Sequence, residues 1–118
     1  MPVDQVHPRL RPVWERCAAL PGAAEDHPWG ETVFKVRGKV FCFFGTHEPQ
    51  ITVKPAGDDL EAMLALPFIR RAAYIGRYGW VTVRIEDEPA LDLALELVET
   101  TYRGIAGKGR HGRTGGRP

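Results

Sequence analysis

The sequence predicts an α+β domain, a two-layer sandwich in which an antiparallel β-sheet carries helices mainly on one face. Two observations lead there. Short runs alternate apolar with polar or charged residues, at Glu31 to Gly45, Ile51 to Lys54 and Tyr74 to Ile85, which is the period of a half-buried strand. Between and around them lie segments with helical spacing, and the order helix, three strands, helix, one or two strands, helix fits a sheet covered on one side.

Residues 1–11, MPVDQVHPRLR, show little periodicity and read as a lead-in. Pro12 suits a first helical turn, whereas a helix begun at Pro8 would hold Pro12 in its interior at about 3 kcal/mol. The first helix is therefore expected from Pro12 to Leu20, with Val13, Trp14, Cys17 and Leu20 on the sheet side, and Leu20-Pro21-Gly22 ends it. AAEDHPWGE then forms a connection. VFKVRGKVFCFF is a hairpin. A type II′ turn at Gly38-Lys39 sets Val36 against Phe41 and Phe34 against Phe43 inside, with Arg37 opposite Val40 and Lys35 opposite Cys42 outside; a turn at Arg37-Gly38 would mix the faces. Ile51 and Val53 continue the inner face.

Pro55-Ala56-Gly57 breaks the chain, and Asp58 to Glu61 has the spacing of a capping box before a short helix that ends at Pro67. Phe68 to Ala73 adds a helical turn. Val81, Val83 and Ile85 alternate inward against Trp80, Thr82 and Arg84. The last helix begins at Pro89, with Leu91, Leu95, Val98 and Tyr102 on one stripe.

The 118 residues, 43% of them hydrophobic, make one domain, taken as 12–104. Residues 105–118 are Gly/Arg-rich and are expected to be disordered. Net charge is +1, but Lys108, Arg110, Arg113 and Arg117 lie beyond Gly104 while every acid precedes it, so the folded part is net acidic. Strong attraction to nucleic acid then requires a local patch or the tail. Cys17 and Cys42 match no ligand or redox spacing and read as small apolar residues or free thiols. No targeting motif or long apolar run is present, which predicts a cytoplasmic protein.

If the inner residues share one core, the reverse face gathers Lys35, Arg37, Lys54 and Arg84 beside Trp80. That surface suits a phosphate backbone, and it equally suits plain solvation. Lys39 adds to a basic hairpin able to track phosphates. Arg70, Arg71 and Arg77 interleave with Tyr74, Tyr78 and Trp80, a composition that stacks bases or seals a sheet edge. Glu25, Asp26, His27 and Glu31 cluster beside Trp29, but their spacing matches no metal motif. No nucleophile elbow, phosphate loop or paired-cysteine pattern occurs. The expectation is a protein with no catalytic residues, no metal and no cofactor.

The ordered set LPGAAEDHPWG (20–30), VFKVRGKVFCFF (33–44), ITVKP (51–55), YIGRYGWVTVRI (74–85) and ELVETTYRGIA (96–106) resembles the MmcQ/YjbR family, also described as double-wing DNA-binding proteins. The resemblance implies a compact α+β fold akin to the bacterial frataxin-like (CyaY-like) proteins and a DNA-binding role, while the Arg:Lys ratio of 12 to 4 and the abundant Ala point to a GC-rich bacterial genome. Members often place His and Asn or Lys before the Trp, where this chain has Tyr74, Gly76, Arg77, Tyr78 and Gly79. The expected function is thus a non-enzymatic DNA-binding module with double-stranded DNA as partner. The alternative is a module for a small planar ligand or a protein segment, with Trp29, Tyr74 and Trp80 lining its groove. Strand order is not readable at this level.

Overall fold

Alternation and turn chemistry build the sheet outward from its central hairpin. The computed structural model describes residues 6–108, apart from the side chains of Trp29 and Lys108. The expectations for residues 1–5 and 109–118 lie outside that range. Strands β2 (Thr32–Val36) and β3 (Lys39–Phe44) pair antiparallel through the two-residue turn Arg37-Gly38, whose φ values are 54° and 79°. Two positive φ angles are the pattern of a type I′ turn, which matches the right-handed twist of the strands. The expected turn at Gly38-Lys39 is thereby corrected. Val36 pairs with Lys39 and Lys35 with Val40, but Phe34 pairs with Cys42, so Phe41 is an extra residue in the ladder. This β-bulge resolves the conflict between turn and faces. Phe41 and Cys42, consecutive in sequence, are both buried, and Phe43 turns to the outer face against Trp80, not inward.

Four further strands complete the layer: β1 (Ala24–Asp26), β4 (Gln50–Val53), β5 (Ile69–Arg71) and β6 (Val81–Arg84). Their order is β1-β2-β3-β4-β6-β5, with every neighbouring pair antiparallel. Both edge strands correct the sequence reading. AAEDHPWGE holds β1, which satisfies the free backbone edge of β2, and Phe68 to Ala73 holds β5 where a helical turn was expected. Ile69 opposite Val83 buries its side chain, and that tertiary pairing overrides the weak local preference of so short a segment.

Helices α1 (Arg11–Ala19), α2 (Leu60–Leu64) and α3 (Glu88–Lys108) complete the second layer. Single 3-10 turns precede α1 at Pro8–Leu10 and α2 at Gly57–Asp59, and the expected capping box at Asp58 makes no side-chain cap bond. Asp87 does cap α3, its carboxylate accepting from the Ala90 N–H at 3.0 Å. α3 continues four residues beyond Gly104, where order was expected to end. Its buried stripe is Ala90, Ala94, Leu97, Val98 and Thr101, rotated from the expected one, with Leu91, Leu95 and Tyr102 flanking it half-buried. The alanines let the helix axis approach the sheet closely. Tyr102 packs edge-on against Phe41 at 5.4 Å and donates its hydroxyl to the Pro21 carbonyl, tying α3 to the end of α1. Trp14 of α1 meets Phe34 edge-on at 5.8 Å. The core is the apolar sheet face sealed by α1 and α3, with Cys17 and Cys42 fully buried inside it. The two-layer α+β architecture is as predicted.

Candidate functional site

The functional candidates lie on the outer sheet face and around its ends, and their cations comprise two that are ion-paired and three further groups. Lys35 is ion-paired: its Nζ lies 2.8 Å from Asp26 Oδ2 on β1, and the Asp26 carboxyl sits below the usual carboxylate range because of that bond and of the His27 N–H. Arg84 is paired with Glu48 at 3.2 Å. The edge strand β1 and the β3–β4 turn supply these carboxylates, so the two residues do not form the open cationic field expected beside Trp80.

The first group is a rim at one end of the sheet. Arg37 occupies the β2–β3 turn, and Lys39 and Lys54 line a cavity of about 430 Å³ together with Val40, Trp80, Gly104 and Ile105. Among the described residues no carboxylate lies within 4.0 Å of the Arg37, Lys39 or Lys54 charge. Thr101 fixes this corner. Its hydroxyl accepts the Lys54 N–H at 2.9 Å, and its proton is shared between the carbonyls of Leu97 and Lys54, at 2.7 and 3.0 Å. Trp80 is propped from the other side by Phe43, ring centres 5.7 Å apart.

The second group surrounds the turn between β5 and β6. Arg71 donates to the Gly76 carbonyl at 3.1 Å, and the Arg77 guanidinium lies 5.0 Å from the centre of the Tyr78 ring. Both cations are engaged in shaping the turn.

The third is a groove of about 550 Å³ across the sheet face. A cross-strand row, Phe43, Thr52, Thr82 and Arg70, crosses its floor from β3 through β4 and β6 to β5. Gln50 and Gly45 stand at one side and Tyr74 at the other. Gly45 is required by close approach, since a Cβ there would come within 2.7 Å of the Glu48 carbonyl oxygen. Sequence reasoning missed Gln50, Thr52 and Thr82, because threonine in a strand reads as β propensity and nothing local shows that they align.

The three expected aromatics do not share a groove. Tyr74 borders the sheet-face groove and Trp80 the rim cavity, while the Trp29 side chain lies outside the described part. Of the acidic cluster, His27 and Glu25 meet at 3.0 Å, Asp26 is taken by Lys35, and Glu31 lines the sheet-face groove instead. Among the described residues no three His, Cys, Asp or Glu side chains are placed to hold a metal ion. Burial pushes the Cys42 thiol well up, with Cys17 beside it. No described helix is long and apolar enough to cross a membrane.

A search among curated proteins returns no match. A protein-family model described as YjbR matches residues 18–104, the span that runs from the last turn of α1 through all six strands to the rim where Gly104 lines the cavity. With most of the chain matched, and with the motifs and fold in agreement, this protein belongs to the YjbR (MmcQ/YjbR) family.

Proposed function

We propose that the protein is a non-enzymatic DNA-binding module that engages the duplex backbone with the cationic rim. The observation that carries this is that Lys39 and Lys54 share the corner where Gly104 and Ile105 of α3 also lie, with Arg37 in the adjoining β2–β3 turn, none of the three with a described carboxylate partner. From that corner the sequence goes on with Lys108, Arg110, Arg113 and Arg117 and no acid. Charges grouped this way displace counterions from phosphates, whereas the net acidity of the remaining surface opposes binding elsewhere. The shifts at Asp26 and Cys42 trace to an ion pair and to core burial, both structural causes.

Fluorescence anisotropy of the full chain with a labelled duplex at two salt concentrations tests the reading. Substituting Lys39→Met and Lys54→Met together flattens the log K against log salt slope by about two units, because each phosphate contact contributes about 0.9. Lys35→Met, which removes a cation already neutralised by Asp26, changes the slope by well under one unit. Absence of binding at low salt overturns the proposal.

A further inference from the structure

Tyr74 combines two properties that rarely coincide. It adopts φ 67° and ψ −57°, with the Ile75 N–H donating to the Ala73 carbonyl at 2.6 Å, so it is the centre of a γ-turn in the strained hand that glycine tolerates and bulky residues avoid. Its side chain is 95% exposed, so the strain is not offset by packing of the ring. The turn is held in this state from outside. The Ala72 N–H bonds the Trp80 carbonyl, Gly76 bonds Ala72, and Arg71 clamps the Gly76 carbonyl; a Cβ on Gly76 would lie 3.1 Å from that of Arg71. Residues held in such strain by their surroundings cluster at active sites, ligand clamps and switch regions.

What the groove offers beside that ring is specific. Gln50 lines its wall, with the side-chain Oε1 turned away from the open space. The Thr52 and Thr82 hydroxyls bond each other at 3.0 Å on the floor and retain further capacity. Arg70, opposite Thr82, has no carboxylate within 4.0 Å among the described residues, and Glu31 adds an acceptor at the periphery. An aromatic face, a pair of hydroxyls and one open guanidinium describe a ligand with a planar ring, polar groups on its edge and an attached anion.

We propose that this groove binds a nucleotide, with the base stacked on Tyr74, its polar edge on the Thr52 and Thr82 hydroxyls, and the phosphate held by Arg70. The chemistry is the same for a free mononucleotide and for an unpaired nucleotide within a strand. The site is separate from the cationic rim, so it stands or falls independently of duplex binding.

The test uses the ¹⁵N-labelled full chain titrated with deoxyadenosine monophosphate, with deoxyadenosine and with a ten-nucleotide oligodeoxyadenylate. The expected result is a saturable shift of the Gln50 side-chain amide and of the Tyr74 and Thr82 backbone amides. Saturation by the mononucleotide identifies a free ligand, and saturation by the oligomer alone identifies a strand. Tyr74→Gly weakens binding about tenfold or more while raising the thermal midpoint, because the turn loses its strain together with its stacking surface. Tyr74→Phe binds as the parent does. Arg70→Gln removes the preference for the monophosphate over the nucleoside, and Lys39→Met with Lys54→Met leaves these titrations unchanged. If millimolar concentrations of all three probes leave the Gln50 amide unmoved, or if Tyr74→Gly binds like the parent, the proposal is overturned.

Discussion

Thr101→Val isolates the contact that joins helix layer to sheet beside the cationic rim. The replacement keeps the shape of the side chain and removes only the hydroxyl, which is 5% exposed with the rest of its residue. β4 ends at Val53, so the Lys54 N–H, 2.9 Å from the hydroxyl, has that oxygen as its partner. Losing a part-buried acceptor costs about 1–3 kcal/mol. Leu97 suffers less, because its carbonyl retains the helical bond from the Thr101 N–H. The new methyl returns under about 0.8 kcal/mol of apolar burial. The net destabilisation is then about 1–2 kcal/mol, which for a domain of this size lowers the thermal midpoint by roughly 5–10 °C. Urea unfolding measures it directly, with an unchanged slope because the folded surface is the same. Thr101→Ser, which keeps the oxygen, is expected to lose roughly half as much or less. A valine variant within about 0.5 kcal/mol of the parent would refute the reasoning, since water would then be satisfying the Lys54 amide.

Gly45→Ala forces a Cβ to within 2.7 Å of the Glu48 carbonyl and so displaces the β3–β4 turn; calorimetry should show a loss of about 1–3 kcal/mol. The Asp26 carboxyl is held low by Lys35, so its contribution to stability is complete above the unfolded carboxylate range and disappears as pH falls through its depressed folded value. Lys35→Met should move the Asp26 titration, followed by carboxyl NMR, upward toward an ordinary aspartate; no movement would show that another group sets it. Burial and the neighbouring Cys17 keep the Cys42 thiol protonated, so a disulfide reagent at mildly alkaline pH should label neither cysteine faster than the chain unfolds.

Residues with strong local periodicity were legible without coordinates. Ile51, Val53, Val81, Val83 and Ile85 alternate with period two, and all are buried as expected. Pro12 and Pro89 fall in the first turns of α1 and α3, where a missing N–H costs nothing. The hairpin register was legible only in part, because a type I′ turn at Arg37-Gly38, with arginine at a positive φ, conflicts with alternation until a bulge at Phe41 absorbs the difference. Of the candidate sites, the cations were visible as letters while their partners were not. Asp26 reaches Lys35 only because β1 pairs with β2, and Glu48 reaches Arg84 across a turn 36 residues away in sequence.

By itself, then, the sequence determined the α+β class, the inward faces of β4 and β6, the helix starts and the family motifs, since each depends on spacing within a few neighbouring residues. The tertiary structure alone decided strand order, the two edge strands, which cations remain free, and the strained exposure of Tyr74 on the groove that Thr82 and Arg70 also line. Those are pairings between distant segments, and their free energy comes from closing the sheet as a whole, so no local pattern encodes them.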